Sequence, residues 1–202
     1  QTTPLQLCQM TAQLANGGFK IYPKIIVDEN SKSAEEIRVI MNKNRQNLDK
    51  KSNGLQDATE LLGLLSKKAH EPLFKNIKNI NIVREAMFAS TNEPRGTSYS
   101  SRIQDPKYQF AGKTGTSQVK RITEKDRELD LKTFEIPYNE RDHALYIAFG
   151  PYKNPRYATS IVIEHGGSGS SAAAPIAKKL FKLIVDRHQL REEIGKEKNL
   201  EL

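Results

Sequence analysis

Apolar residues recur at helical spacing at the start of this chain, where Leu7, Met10, Thr11 and Leu14 follow Thr3 and Pro4. Threonine caps helix N-termini well, and proline suits the first helical position, where its missing N–H would have no partner anyway. Asn16-Gly17-Gly18 supplies residues that tolerate the left-handed backbone of a helix end. The pattern predicts a helix opening at Thr3-Pro4 and closing at Asn16. Phe19-Lys20-Ile21-Tyr22 and Ile25-Ile26-Val27 read as short extended pieces on either side of Pro23.

Between residues 30 and 76 Lys, Asn, Glu and Gln dominate, and Ile37, Ile40, Met41 and Leu61, Leu62, Leu65 keep helical spacing. Two helices, 33–48 and 56–68, are expected as a surface hairpin separated by Lys50-Lys51-Ser52-Asn53-Gly54. Such an insertion is a helical decoration or a partner-binding element, the former being the simpler reading. A further helix is expected over 80–91 (Ile82, Val83, Ala86, Met87), ended by the turn chemistry of Asn92-Glu93-Pro94-Arg95-Gly96-Thr97.

Three strands come next, over 109–119, 144–150 and 157–164. Pro151-Tyr152-Lys153-Asn154-Pro155 is short enough to make the last two antiparallel neighbours. Residues 120–142 form a long charged connection. A last helix is expected over 172–190, with Ile176, Leu180, Leu183 and Ile184 as its apolar stripe and Pro175 confined to the first turn. The charged tail 191–202 reads as frayed. The order predicts an α+β fold, an antiparallel sheet flanked by helices. One domain spans 1–190 and carries the 30–76 insertion; no internal repeat is evident.

Composition narrows the picture. A chain of 202 residues with 37% hydrophobic content can build one real core. No apolar run approaches the ~18 residues of a membrane helix. The start, Gln1-Thr2-Thr3-Pro4, has neither an initiator Met nor a basic flank with an apolar run, so it reads as a processed product or a fragment without a signal peptide. The net charge of +8 is spread along the chain with no nucleic-acid motif, so no nucleic-acid partner is expected. Cys8 is the single cysteine, and it falls within the first helical pattern, a core position rather than a nucleophile. His70, His143 and His188 lack metal-ligand spacing, and His165 before Gly166-Gly167 reads as a turn residue; no metal or other cofactor is expected. The Gly-Ser run 166–171 lacks the spacing and lysine of a phosphate loop and reads as close packing at the sheet end.

The chemistry lies in Lys113-Thr114-Gly115-Thr116-Ser117. Side chains alternate along a strand, so Thr114 and Thr116 share a face and can both donate to one carboxylate, with Lys113 adding positive charge from the opposite face. Gly115 lets another backbone lie close, and free N–H groups at a strand edge can pair an extended peptide or meet a developing oxyanion. Two nearby letter matches fail as catalytic motifs. Ser117 and Lys120 fit S-x-x-K, but that pairing needs a helix; a strand spacing of three puts them on opposite faces. Ser90-Thr91-Asn92 fits S-x-N but lies at a helix end, close before Lys113.

The stretch Ala111-Gly112-Lys113-Thr114-Gly115-Thr116-Ser117-Gln118-Val119 resembles the third motif of the class B penicillin-binding proteins, whose first two motifs are S-x-x-K and S-x-N or S-x-D. His143-Ala-Leu-Tyr-Ile-Ala-Phe-Gly-Pro-Tyr152, Asn154-Pro155 and Ile161-Val-Ile-Glu-His-Gly-Gly-Ser-Gly-Ser-Ser-Ala-Ala-Ala-Pro-Ile176 are similar to the segments C-terminal to that motif in the penicillin-binding protein 2 branch. Thr3-Pro4-Leu5-Gln6-Leu7, Leu14-Ala15-Asn16-Gly17-Gly18 and Arg95-Gly96-Thr97 also have counterparts. The resemblance spans about 1–29 and 77–188 and leaves out the insertion.

It implies the penicillin-binding/β-lactamase-like transpeptidase fold, here in part, with two further strands beside 157–164 in the intact fold. It also implies a peptidoglycan D,D-transpeptidase of the periplasmic face of the bacterial inner membrane, anchored outside this chain. Stem peptides, β-lactams and cell-elongation proteins would be its partners. Thr114 and Thr116 would bind the carboxylate along Gly115, Lys113 would support the S-x-N serine, and the Thr116 backbone N–H would be half of the oxyanion hole. Both missing motifs precede Thr3 in the family, so this chain is expected to lack the nucleophilic serine and to be inactive alone. A β-lactamase or penicillin sensor of the same superfamily is one alternative, and a non-catalytic peptide- or partner-binding module is another.

Overall fold

A computed structural model describes residues 2–23, 72–121 and 131–200, with side chains to residue 190. Helix α1, Pro4–Ala15, starts as expected: the Thr3 hydroxyl accepts from Gln6 N, and the Gln6 side chain accepts from Thr3 N, a reciprocal capping box. Gly17 and Gly18 come after it at φ +97° and +93°, a conformation only glycine adopts without strain. Their N–H groups donate to Leu14 O and Gln13 O, closing the helix end. Of the expected extended pieces, Phe19 forms a single antiparallel bridge with Pro72, and 25–27 lies outside the described residues. So does the helical hairpin expected over 33–48 and 56–68.

Helix α2 is Ile77–Asn92, capped by the Asn76 side chain accepting from Lys78 N. Strands β1 (Ala111–Ser117), β2 (His143–Gly150) and β3 (Tyr157–Ile163) form one antiparallel sheet in the order β1-β2-β3. In the register Lys113 faces Ile147, Thr114 faces Tyr146 and Thr116 faces Ala144, while Ala144 faces Ile163 across the other ladder. A π-helical turn, Gly169–Ala173, leads into helix α3, Ala174–Leu200. Pro175 falls in its first turn. The helix continues to Leu200, where fraying had been expected beyond residue 190.

The two faces of the sheet are covered differently. Ala144, Tyr146 and Ala148 pack with Phe110 against Ala173, Ala174, Ala177 and Phe181 of the turn and α3. Phe110 and Phe181 stack with ring centroids 5.0 Å apart. On the other face Ala111 and Phe149 meet Ala15 of α1 and Met87 of α2. Cys8, expected in the core, is only half-buried beside this packing: desolvation raises its thiol pKa, and its Sγ donates to Ala158 O at 3.4 Å.

Two helices bury faces other than the expected stripes. Ile176 and Leu183 are 42% and 65% exposed, and α3 buries Ala174, Ala177, Phe181 and Val185 instead. On α2, Met87 is buried as expected, but Ile82 and Val83 are exposed, and Ile80, Arg84 and Thr91 join Met87 in facing inward. Small residues let a helix approach a sheet closely, so the contact face of α3 is built largely from alanine. Arg84 is covered by the rings of Phe149 and Tyr152, 5.7 and 6.0 Å from its guanidinium carbon, which offsets its burial by cation–π attraction. His165 is a turn residue as expected: at φ +54° its N–H donates to His143 Nδ1 at 3.0 Å.

Candidate active site

Among the described residues strand β1 is an edge strand, and its edge is already partly used. Asn92 Nδ2 donates to Phe110 O at 2.9 Å, Thr91 Oγ1 to Gly112 O at 3.5 Å, and Lys113 Nζ to Thr114 O at 2.8 Å. In an antiparallel ladder a residue's N–H and C=O point the same way, and the direction alternates. The even-numbered residues therefore turn their backbone groups away from β2. By the same alternation the Thr116 N–H and C=O fall on this outer edge, next to the exposed Thr116 side chain.

The register keeps the Thr114 and Thr116 side chains on one face and starts Lys113 on the other. The lysine does not stay behind the strand. Its ammonium bends round the edge to Thr114 O and comes within 3.4 Å of Thr114 Oγ1. The cation thus lies on the edge, beside the hydroxyl. Gly115 sits under a tight contact: a Cβ on Gly169 would lie 2.7 Å from Gly115 O, so the Gly-Ser run packs onto the sheet as expected. Lys113, Thr114, Gly115 and Thr116 accordingly form one continuous strip of ammonium, hydroxyls and backbone edge.

A set of hydroxyls to which the sequence assigned no role at this strip meets it. Thr97 Oγ1 is 3.2 Å from Thr114 Oγ1 and 3.2 Å from Ser90 Oγ. Beneath them the buried Tyr146 OH lies 2.9 Å from Thr91 Oγ1 and 3.0 Å from Ser98 Oγ. Desolvation raises the Tyr146 pKa, partly opposed by the hydrogen bonds to Ser98 and Thr91, so the phenol stays protonated. Gly112 makes this possible: a Cβ there would come 2.7 Å from the Tyr146 ring edge. The sequence signals were the Ser90-Thr91-Asn92 letter match, the Arg95-Gly96-Thr97 counterpart and the density of Ser and Thr between Ser90 and Ser101.

The two letter matches take other roles. Lys120 Nζ pairs with Glu140 Oε2 at 2.9 Å, from the loop beyond β1. Asn92 spends its amide on Phe88 O and Phe110 O, and Ser90 belongs to the hydroxyl set.

The sequence profile of the family described as "Penicillin binding protein transpeptidase domain" matches residues 1–182. Peptidoglycan D,D-transpeptidase MrdA of Salmonella typhimurium is 42% identical over 105 residues, which are 52% of this chain and 16% of that protein. This chain thus matches about a sixth of the length of that relative. PBP2 of Pseudomonas aeruginosa, solved in complex with WCK 5153, superposes with a TM-score of 0.56 at 26% identity, covering 90% of this chain and 30% of the other. PBP2 of Helicobacter pylori, solved in complex with MreC, gives 0.54 at 26% identity, covering 90% and 25%. The expected fold, in part, is the one found.

Proposed function

The chain belongs to the penicillin-binding protein transpeptidase domain family, and from that premise we propose that the intact protein is a peptidoglycan D,D-transpeptidase to which this chain contributes the wall that grips the peptide. The observation that carries the reading is the outer edge of β1. Two hydroxyls, an ammonium and an outward backbone N–H converge there within four consecutive residues. That set suits a peptide ending in a carboxylate: Thr114 and Thr116 donate to the carboxylate while Lys113 supplies the local positive field. The Thr116 N–H stabilises the oxyanion that forms as the carbonyl is attacked.

In this reading the attacking serine comes from the part of the protein that precedes this chain. It forms an acyl-serine with expulsion of the terminal D-alanine, and the amine of a second stem peptide then takes the acyl group, forming the cross-link and freeing the serine. A β-lactam presents a carboxylate beside a strained amide and acylates the same serine. Work at the outer face of the inner membrane with elongation proteins, such as the MreC seen with the Helicobacter pylori relative, fits this role. Among the described residues no helix is long and apolar enough to cross a membrane; the proposed anchor belongs to another part of the intact protein.

The test is acylation of the intact protein by a fluorescent penicillin. Thr114→Val and Thr116→Val should each slow acylation about tenfold, the effect of a charge-assisted hydrogen bond. Unchanged rates would remove the carboxylate assignment. Slow release of the label is expected; turnover within seconds would instead indicate a β-lactamase.

A further inference from the structure

Thr97 lies outside the Lys-Thr-Gly strand, yet its hydroxyl touches the centre of it. Its turn is pinned to the end of α2: Gly96 N donates to Glu93 O at 2.8 Å, and both the N–H and the hydroxyl of Ser98 donate to Ser90 O at 3.0 Å. A Cβ on Gly96 would lie 2.5 Å from Ala89 O, so the turn sits directly on the helix. The buried Tyr146 hydroxyl, bonded to Ser98 and Thr91, ties the same turn to β2. Thr97 is therefore held from two sides at 3.2 Å from Thr114 Oγ1.

The proton inventory then sets a direction. A hydroxyl has one proton and two lone pairs, and an ammonium can only donate. For Thr114 to donate to a bound carboxylate, its proton must point outward, and the neighbouring groups must donate to it. Lys113 Nζ, 3.4 Å away, supplies one such donor. Thr97 supplies the other if its own proton is directed at Thr114, and Ser90 Oγ, 3.2 Å away, can donate to Thr97 in turn.

We propose that Thr97 is a positioning residue for Thr114, the middle of a one-way hydroxyl relay from Ser90 through Thr97 to Thr114 that aims the Thr114 proton at the substrate carboxylate. The proposal rests on the carboxylate assignment made above. Thr97 is exposed, so removing its hydroxyl leaves the core intact.

The experiment measures acylation of the intact protein by benzylpenicillin and by its methyl ester, which lacks the anionic carboxylate. Thr97→Val should lower the penicillin-to-ester rate ratio about fivefold, the effect of one hydrogen bond, and Thr97→Ser should restore it. Ser90→Ala should lower the ratio by a smaller factor, about twofold. An unchanged ratio in Thr97→Val, an equal slowing of both compounds, or a serine variant as impaired as the valine would overturn the relay. Thr114→Val separates the two levels. If it also leaves the ratio unchanged, the carboxylate assignment fails; if it collapses the ratio while Thr97→Val does not, only the relay fails.

Discussion

A single side chain can be legible in sequence and still end up somewhere unexpected. Strand alternation places Thr114 and Thr116 together, and the register agrees. It also starts Lys113 on the far face, but a four-carbon stem on an edge strand can return round the edge, and this one does. Asp186 shows the same dependence on context. Lys182, four residues back on its own helix, contributes a small part, but the largest effect comes from elsewhere: the Tyr108 hydroxyl from the loop before β1 donates to it, with Lys107 alongside. Together they hold its carboxyl below the ordinary carboxylate range. Folding therefore favours the deprotonated form; the associated stability is present above the ordinary carboxylate range and is lost as pH falls below it. A carboxyl titration followed by NMR should show Asp186 titrating low, and Tyr108→Phe should move it back up. An unmoved midpoint would count against the hydrogen bond as its cause.

Among the elements, helices and strands came out of periodicity, while the faces they bury did not. The strands expected over 144–150 and 157–164 coincide with β2 and β3 to within a residue, because compact apolar runs between turn residues leave few options. The helices expected over 80–91 and 172–190 also exist, but α3 turns its alanines and Phe181 inward and leaves Ile176 and Leu183 outside. A stripe search weighs residues by size, whereas a helix resting directly on a sheet selects small ones. Truncation should reveal the difference. Phe181→Ala, at 1% exposure and stacked on Phe110, should cost about 3–5 kcal/mol. Leu183→Ser in the same chain should stay within about 0.5 kcal/mol. Urea unfolding midpoints of the two variants measure both, and equal losses would mean that Leu183 is buried in solution.

At the level of the whole molecule, the sheet formed by the described residues has two edges with different fates. The edge of β1 is partly occupied by Asn92, Thr91 and Lys113 and carries the candidate site. Strand β3 lies at the other edge, where β2 is its only strand partner among the described residues. An uncovered edge offers unpaired backbone groups to another chain. The isolated 202-residue chain should therefore self-associate through β3 unless another segment covers that edge. Sedimentation velocity together with hydrogen exchange tests this, and a monomer with fully protected β3 amides would refute it. The same chain should take no covalent label from a fluorescent penicillin, whereas the intact protein should be labelled. Labelling of the isolated chain would show that it contains its own nucleophile.

Local chemistry decided what the sequence could decide alone. Caps, turn glycines, apolar runs and the Lys-Thr-Gly-Thr pattern each act within a few residues, so the order of the described elements, the α+β class and the alternation that pairs Thr114 with Thr116 were all readable from the chain. Tertiary structure decided what depends on which surfaces meet. It chose the alanine face of α3, brought Lys113 round an edge that exists only because β1 is outermost, and set Thr97 against Thr114 through a turn anchored on Tyr146. The Thr97 and α3 contacts join residues far apart in sequence through hydroxyls and small side chains, which leave no periodic trace because their placement depends on the partner and not on the chain around them.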